Sequence, residues 1–175
     1  MPEITVRELD ENDWAAYRSV RLQALQDSPE AFVASHAEEQ AYPEDRWRDR
    51  MRRSQRLLAE ADGEAVGVAS IGPASDGSAH RSELFGLWVR PDRRGSGVAT
   101  ALVESGAEVA RRRGDTHLMY WVGSDNGRAV AFASGFGFRP TELRRPMRVV
   151  SAEDGEEEAA MTLPLGGDRG ALSPL

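Results

Sequence analysis

The first third of the chain alternates briefly between polar and apolar residues and then changes to helical spacing. Residues 3–8 alternate as a strand does, and Asp10 or Asn12 can cap the helix that follows. The apolar positions of that helix recur near the helical period: Trp14, Tyr17, Val20, Ala24 and Leu25. We therefore expect one strand and one long helix, then shorter helices at residues 31–40 and after Pro43.

The middle of the chain predicts three strands and a second long helix. Residues 56–61 and 64–71 are strand-like and are separated by Asp62-Gly63, which suits a tight hairpin turn. Residues 82–89 are apolar on both faces, which is typical of a central strand. The helix from residue 98 ends in three arginines before Gly114, a favourable C-terminal stop.

The last third predicts a strand, a short helix and a terminal strand pair. Residues 116–122 are strand-like, and Asp125 or Asn126 can cap a helix that Gly135 ends. Residues 136–143 and 159–165 predict two antiparallel strands separated by acidic residues 153–158, with a frayed tail at residues 166–175. Hairpins mixed with one strand-helix-strand crossover predict a single α/β domain at residues 1–165, with a mixed, mostly antiparallel sheet of six to seven strands flanked by helices.

Composition narrows the possible functions. The chain has 175 residues, of which 40% are hydrophobic, and this suits one domain. It has no cysteine, which excludes disulfides and cysteine nucleophiles, and with three scattered histidines we expect no metal. The net charge of -7 argues against a nucleic-acid partner, although basic clusters occur at residues 46–56 and 111–113. Because we find neither a signal peptide nor a long apolar span, we expect no membrane association and a cytoplasmic protein.

The segment after the central strand has the composition of a phosphate-binding loop. It reads R-G-S-G-V-A and comprises Arg94, Gly95, Ser96, Gly97, Val98 and Ala99. The two glycines lack side chains that would block an anion, and a helix start carries unpaired amides. A glycine-rich turn without a ligand is the alternative. Thr100 disfavours a dinucleotide fingerprint, and a chain without lysine cannot form a Walker A loop.

This loop resembles motif A of the GNAT superfamily of N-acetyltransferases, Gln/Arg-x-x-Gly-x-Gly/Ala, at Arg94, Gly97 and Ala99. A second block matches family positions at Asn126, Ala129 and Gly137-Phe138, and the likeness covers residues 4–165. The resemblance implies the GNAT fold, with a V-shaped splay between strands four and five, and acetyl-CoA as co-substrate. It also implies that Asn126, Ala129 and Phe132 contact the cofactor, with helix capping as the alternative role of Asn126.

The resemblance also implies catalytic roles. In the family, strand four bulges and an unpaired amide contacts the acyl oxygen; Leu87 matches that donor, Gly86 would ease the distortion, and Trp88 and Val89 would flank the pantetheine. Glu83, eleven residues before Arg94, is the predicted general base. A strand-end glutamate paired with an arginine is the alternative interpretation.

One position departs from the family. Ala133 occupies the place of a tyrosine that protonates the departing coenzyme A sulfur, so solvent, the new ammonium or Ser134 through water would supply that proton. We therefore keep two hypotheses. The first is an N-acetyltransferase that acts by direct attack in a ternary complex; the second is a catalytically degenerate acyl-CoA-binding sensor or interaction module.

The acceptor stays open at this level. Residues 21–32 are similar to the acceptor-side helices of many bacterial members, and family habit suggests a homodimer. A small amine and a peptide amino terminus fit equally well. The acidic net charge favours cationic acceptors, whereas Arg144 and Arg145 could bind a carboxylate.

Overall fold

The computed structural model describes residues 3–75, 77–123, 126–146 and 157–166. Within these residues, seven strands form one sheet in the order β1-β2-β3-β4-β5-β7-β6. They are β1 (Ile4–Leu9), β2 (Gln55–Ala61), β3 (Glu64–Pro73), β4 (Arg81–Val89), β5 (His117–Gly123), β6 (Arg139–Pro146) and β7 (Glu157–Pro164). Every neighbouring pair is antiparallel except β4 and β5. The prediction of a mixed, mostly antiparallel sheet is confirmed.

Helices cover both faces of this sheet. They are α1 (Trp14–Asp27), α2 (His36–Gln40), α3 (Glu44–Arg53), α4 (Val98–Arg112) and α5 (Gly127–Phe136). The apolar sides of α4 and α5 bury Leu102 and Ala133 with Ile71, Leu84 and Leu118 of the sheet. On the other face, α1 and α3 form a second buried cluster that includes Trp88. In the part of the chain described, no helix is both long enough and apolar enough to cross a membrane.

Strand β4 separates from β5 near its middle and bulges against β3 at the same place. Its pairing with β5 ends at Leu84 opposite Tyr120. Its register with β3 passes from Ser70 opposite Phe85 to Val68 opposite Trp88, so two residues of β4, Gly86 and Leu87, face one residue of β3. Gly86 has a φ of 64°, which a glycine adopts without strain. The bulge and the end of pairing open a V between β4 and β5, as predicted.

Several element boundaries differ from the predictions, and three of the differences have a clear local cause. Residues 31–40 are not one helix: a 3-10 turn at Pro29–Ala31 precedes α2, which starts only at His36. Helix α5 continues through Gly135 to Phe136 and ends at Gly137, whose φ is 126°, so β6 begins at Arg139. Glu157 and Glu158 belong to β7 rather than to the acidic connection. Asn126 caps α5; the alternative cap, Asp125, and residues 167–175 lie outside the described residues.

A close contact fixes the start of α4 against the sheet. A Cβ atom at Gly67 of β3 would lie 2.8 Å from Val98 Cγ1 and 3.0 Å from the Trp88 carbonyl oxygen. We expect Gly67→Ala to lower the free energy of unfolding by about 1–3 kcal/mol, because a backbone oxygen cannot yield as a flexible side chain can. Urea denaturation measures this. Gly135→Ala in α5 is the control, since its Cβ meets nothing within 4 Å; a loss of stability there equal to that of Gly67→Ala would contradict the packing argument.

Candidate active site

The loop between β4 and α4 presents backbone rather than side chains. Gly95 and Gly97 have φ values of 82° and 96°. A Cβ at Gly95 would meet nothing within 4 Å, and one at Gly97 would meet only Ile4 Cδ1 at 3.9 Å. Gly97 is the N-cap of α4 without a side-chain cap, so the first amides of the helix lack intrahelical acceptors. This open, donor-rich surface has the features that a phosphate group requires.

Arg94 is held beside this loop by a carboxylate from another element. Its Nη2 lies 2.9 Å from Asp27 Oδ2 at the end of α1, and its Nε donates to the Val89 carbonyl oxygen at 2.9 Å. The same Asp27 oxygen accepts from Ser28 Oγ and Trp88 Nε1. Hydrogen bonds from Ser28 and Trp88, together with Arg94, lower the pKa of Asp27. An ionised Asp27 therefore fixes the Arg94 guanidinium where the loop begins.

The three predicted residues at the end of β4 point in different directions. Leu87 and Val89 are partly buried and pack against the α4 side of the core. The Trp88 side chain is only 4% exposed and lies in the α1 side of the core. Leu87 and Val89 thus face the α4 side of the sheet, whereas the Trp88 indole lies on the α1 side, where it donates to Asp27.

Helix α5 lies on the same side of the sheet as α4. Asn126 Oδ1 accepts from the Ala129 backbone amide at 3.1 Å, so Asn126 caps the helix. This hydrogen bond does not use the side-chain nitrogen of Asn126, Nδ2. Ala129 and Phe132 pack against the core and stay partly exposed. Ala133 is fully buried. Tyr120 of β5 carries a phenol, and it is the last residue of β5 that pairs with β4. Burial raises the pKa of Tyr120, so its phenol is neutral.

Glu83 lies in the parallel part of β4, opposite Met119 of β5, and is 8% exposed. Its Oε2 accepts from the Ser75 amide at 2.7 Å, from Ser75 Oγ at 2.6 Å and from Trp121 Nε1 at 3.2 Å. All three donors are neutral, and β4 is an inner strand. Within the described residues, Glu83 therefore does not match the alternative of an edge-of-sheet glutamate paired with an arginine.

Arg145 contacts two residues that donate hydrogen bonds to Glu83. The Arg145 guanidinium lies 4.1 Å from the centre of the Trp121 ring and donates to Ser75 Oγ at 3.1 Å. It also donates to Glu158 at 2.7 Å. Arg145 thus contacts both residues that donate to Glu83, and its role toward an acceptor carboxylate stays a prediction.

Four of these residues had no predicted part in the site: Asp27, Ser75, Trp121 and Tyr120. Asp27 lies 67 residues from Arg94, and Trp121 lies 38 residues from Glu83. A helix end, a loop serine and two aromatic residues in a strand carry no local signal of such contacts. The sequence therefore identified the groups that could react but not those that hold them.

Comparison with known proteins agrees with this geometry. The profile of the acetyltransferase (GNAT) family matches residues 15–138. An uncharacterized N-acetyltransferase of Archaeoglobus fulgidus is 34% identical over 93 residues, 51% of this chain and 60% of that protein. The uncharacterized N-acetyltransferase YuaI of Bacillus subtilis is 27% identical over 121 residues, 69% of this chain and 64% of YuaI. The chain thus spans less than two thirds of the length of either relative.

Solved structures share the fold. A putative acetyltransferase from Salmonella typhimurium, yncA, solved with its cofactor acetyl-CoA, superposes with a TM-score of 0.71 and 24% identity, over 93% of this chain and 94% of that one. The ribosomal-protein-S18-alanine N-acetyltransferase from Escherichia coli superposes with a TM-score of 0.66 and 22% identity, over 93% and 94%. With the family profile covering both the glycine loop and the splayed strands, the chain belongs to the GNAT family of acetyltransferases.

Proposed function

We propose that this protein transfers an acetyl group from acetyl-CoA to a primary amine by direct attack in a ternary complex. One observation carries the proposal: a single stretch of chain holds the buried carboxylate Glu83, the bulge at Leu87 and the glycine loop that follows. Acyl transfer needs a base, a hydrogen-bond donor to the carbonyl oxygen and a binding site for acetyl-CoA, and all three must lie close together.

The loop would bind the pyrophosphate of coenzyme A. The backbone amides of Gly95–Ala99 would donate to the phosphates, since no side chain covers them at Gly95 and Gly97. The positive end of the α4 dipole would stabilise the negative charge of the phosphates. Arg94 adds a positive charge that Asp27 holds in place. The partly exposed side chains of Ala129 and Phe132 would form the apolar wall for the pantetheine arm.

The chemical roles follow from the opening in the sheet. The Leu87 amide would donate to the thioester oxygen as that oxygen gains negative charge. Glu83 would accept, through water, the proton that the attacking amine loses, because it is an inward-facing carboxylate held by neutral donors. The chain has no cysteine to carry an acyl group, which favours direct attack by the amine over a cysteine-linked acyl-enzyme.

An acyl-CoA-binding module without turnover is the second candidate. Its support is Ala133, which is fully buried and places a methyl group where many relatives have a phenol. A thiol is already a fair leaving group, so loss of that phenol weakens one proton transfer more than it weakens the whole reaction.

Thiol release from acetyl-CoA, measured across a panel of primary amines, separates the candidates. Release that requires an amine, with the acetylated amine identified by mass spectrometry, supports the enzyme. Acetyl-CoA binding by calorimetry without release for any amine supports the module. Absence of binding to well-folded protein contradicts both.

A further inference from the structure

Three arginines from three elements lie together on the α1 side of the sheet, and two of them bind one buried carboxylate. Arg21 of α1 donates to both oxygens of Glu39 at 3.0 Å, and Arg50 of α3 donates to Oε1 at 2.8 Å. Glu39 is 2% exposed. Burial alone would raise the pKa of Glu39, but Arg21 and Arg50 lower it. Glu39 is therefore an anion, and it is shared by two cations.

The third arginine brings a charge that no described carboxylate neutralises. Arg56 of β2 is 5% exposed, and its guanidinium donates to Ser70 Oγ at 2.7 Å and to the Arg50 carbonyl oxygen at 3.0 Å and 3.3 Å. These acceptors are uncharged. Burial, with Arg50 and Arg21 close by, lowers the pKa of Arg56. Among the described residues, the cluster holds three cations and one anion.

An excess of buried positive over negative charge is unfavourable, and a bound anion would offset it. Buried charges in proteins are normally paired with an opposite charge, and groups whose ionisation is perturbed by burial concentrate at functional sites. An anionic group of a ligand would supply the missing partner.

The cluster borders the opening in the sheet. Arg56, Ser70 and Phe85 lie in one row across β2, β3 and β4, and the Phe85 ring is exposed. The nitrogen of Arg21 that does not bind Glu39, Nη1, lies 3.7 Å from the position of a Cβ at Gly86. Gly86 immediately precedes Leu87, so by bond geometry the Leu87 amide and Arg21 Nη1 are separated by roughly 7 Å or less.

We propose that the acceptor is a small amino acid, whose amine attacks the thioester while its carboxylate binds at Arg21, next to Arg56. The proposal rests on the proposed function, since that function places the thioester oxygen at Leu87. The short distance from Arg21 to Leu87 suits an amine and a carboxylate separated by about one to three carbons, at a few ångströms. A polyamine would instead bring positive charge against a cluster that already has an excess of it.

The test compares amine acceptors that have similar carbon skeletons but differ in the presence of a carboxylate. Initial rates with acetyl-CoA are measured for free amino acids, for the corresponding amino acid amides and for diamines of similar length. We expect kcat/KM to be about 10- to 100-fold higher for the acids, the scale of one or two charge-assisted hydrogen bonds. In Arg21→Gln this advantage should disappear, and Arg21→Lys should restore part of it.

Arg18→Gln is the matched control, because Arg18 lies one turn earlier on α1 and donates to the Gln40 carbonyl oxygen. It should keep the preference for acids, and calorimetry should show normal acetyl-CoA affinity in every variant. If amides or diamines react as fast as acids with the unmodified protein, the acceptor proposal is overturned while acetyl transfer stands. If acetyl-CoA binds but no amine reacts, the proposed function fails, and the acceptor proposal fails with it. The comparison of acids with amides needs no variant, so it remains decisive should Arg21→Gln fail to fold.

Discussion

Glu83→Gln should lower kcat by about 10² or more, the usual contribution of a general base, with little change in acetyl-CoA affinity. Glutamine has the same length and keeps an oxygen that can accept from the Ser75 amide and from Trp121 Nε1, so the local structure should survive. What the variant loses is the ability to take a proton. Steady-state kinetics at saturating amine, with calorimetry for acetyl-CoA, measure the two effects separately.

Glu158→Gln is the control for Glu83→Gln. Glu158 accepts from Arg145 at 2.7 Å, in the same network but without contact to Glu83. It should lower kcat by less than about tenfold, because it removes a support for Arg145 rather than a proton acceptor. Equal losses in both variants, or an unchanged rate in Glu83→Gln with normal cofactor affinity, would exclude the base role.

Gly97→Asp is expected to weaken acetyl-CoA binding by at least about tenfold. Two like charges about 4 Å apart repel by several kcal/mol near a protein surface, and a side chain at this position also covers amides that a phosphate would use. Calorimetry with acetyl-CoA measures the affinity, and thermal denaturation measures the accompanying loss of stability.

Gly114→Asp is a matched control at the other end of α4. Gly114 has a φ of 85°, and a Cβ there meets nothing within 4 Å, so the substitution adds similar backbone strain and the same charge far from the loop. Both variants should lose stability, but only Gly97→Asp should lose affinity. Normal acetyl-CoA affinity in Gly97→Asp would show that this loop is not the phosphate site.

Local patterns in the sequence predicted most of the elements, and their failures have local causes. The segment S-G-F-G-F offers two glycines as helix stops, and periodicity does not choose between them. Gly137 ends α5 because the chain there takes a φ of 126° and the Phe138 amide bonds back to the Ala133 carbonyl oxygen. The prediction of one helix at residues 31–40 was wrong because the backbone of Phe32 is extended and interrupts it. Ser35 and Glu38 then form a capping box at the start of α2.

The glycine loop, the order of the elements and the candidate base Glu83 could be deduced from the linear chain, because turn chemistry, periodicity and motif spacing involve residues that are near one another in sequence. The partners of those groups could not. Asp27 contacts Arg94 and Trp121 contacts Glu83 only after the sheet and helices have packed. The same packing brings Arg21 and Arg50 to Glu39, and Arg21 to Gly86. Contacts between distant segments depend on register and packing, and the charge balance of a buried cluster depends on which side chains the fold has brought together.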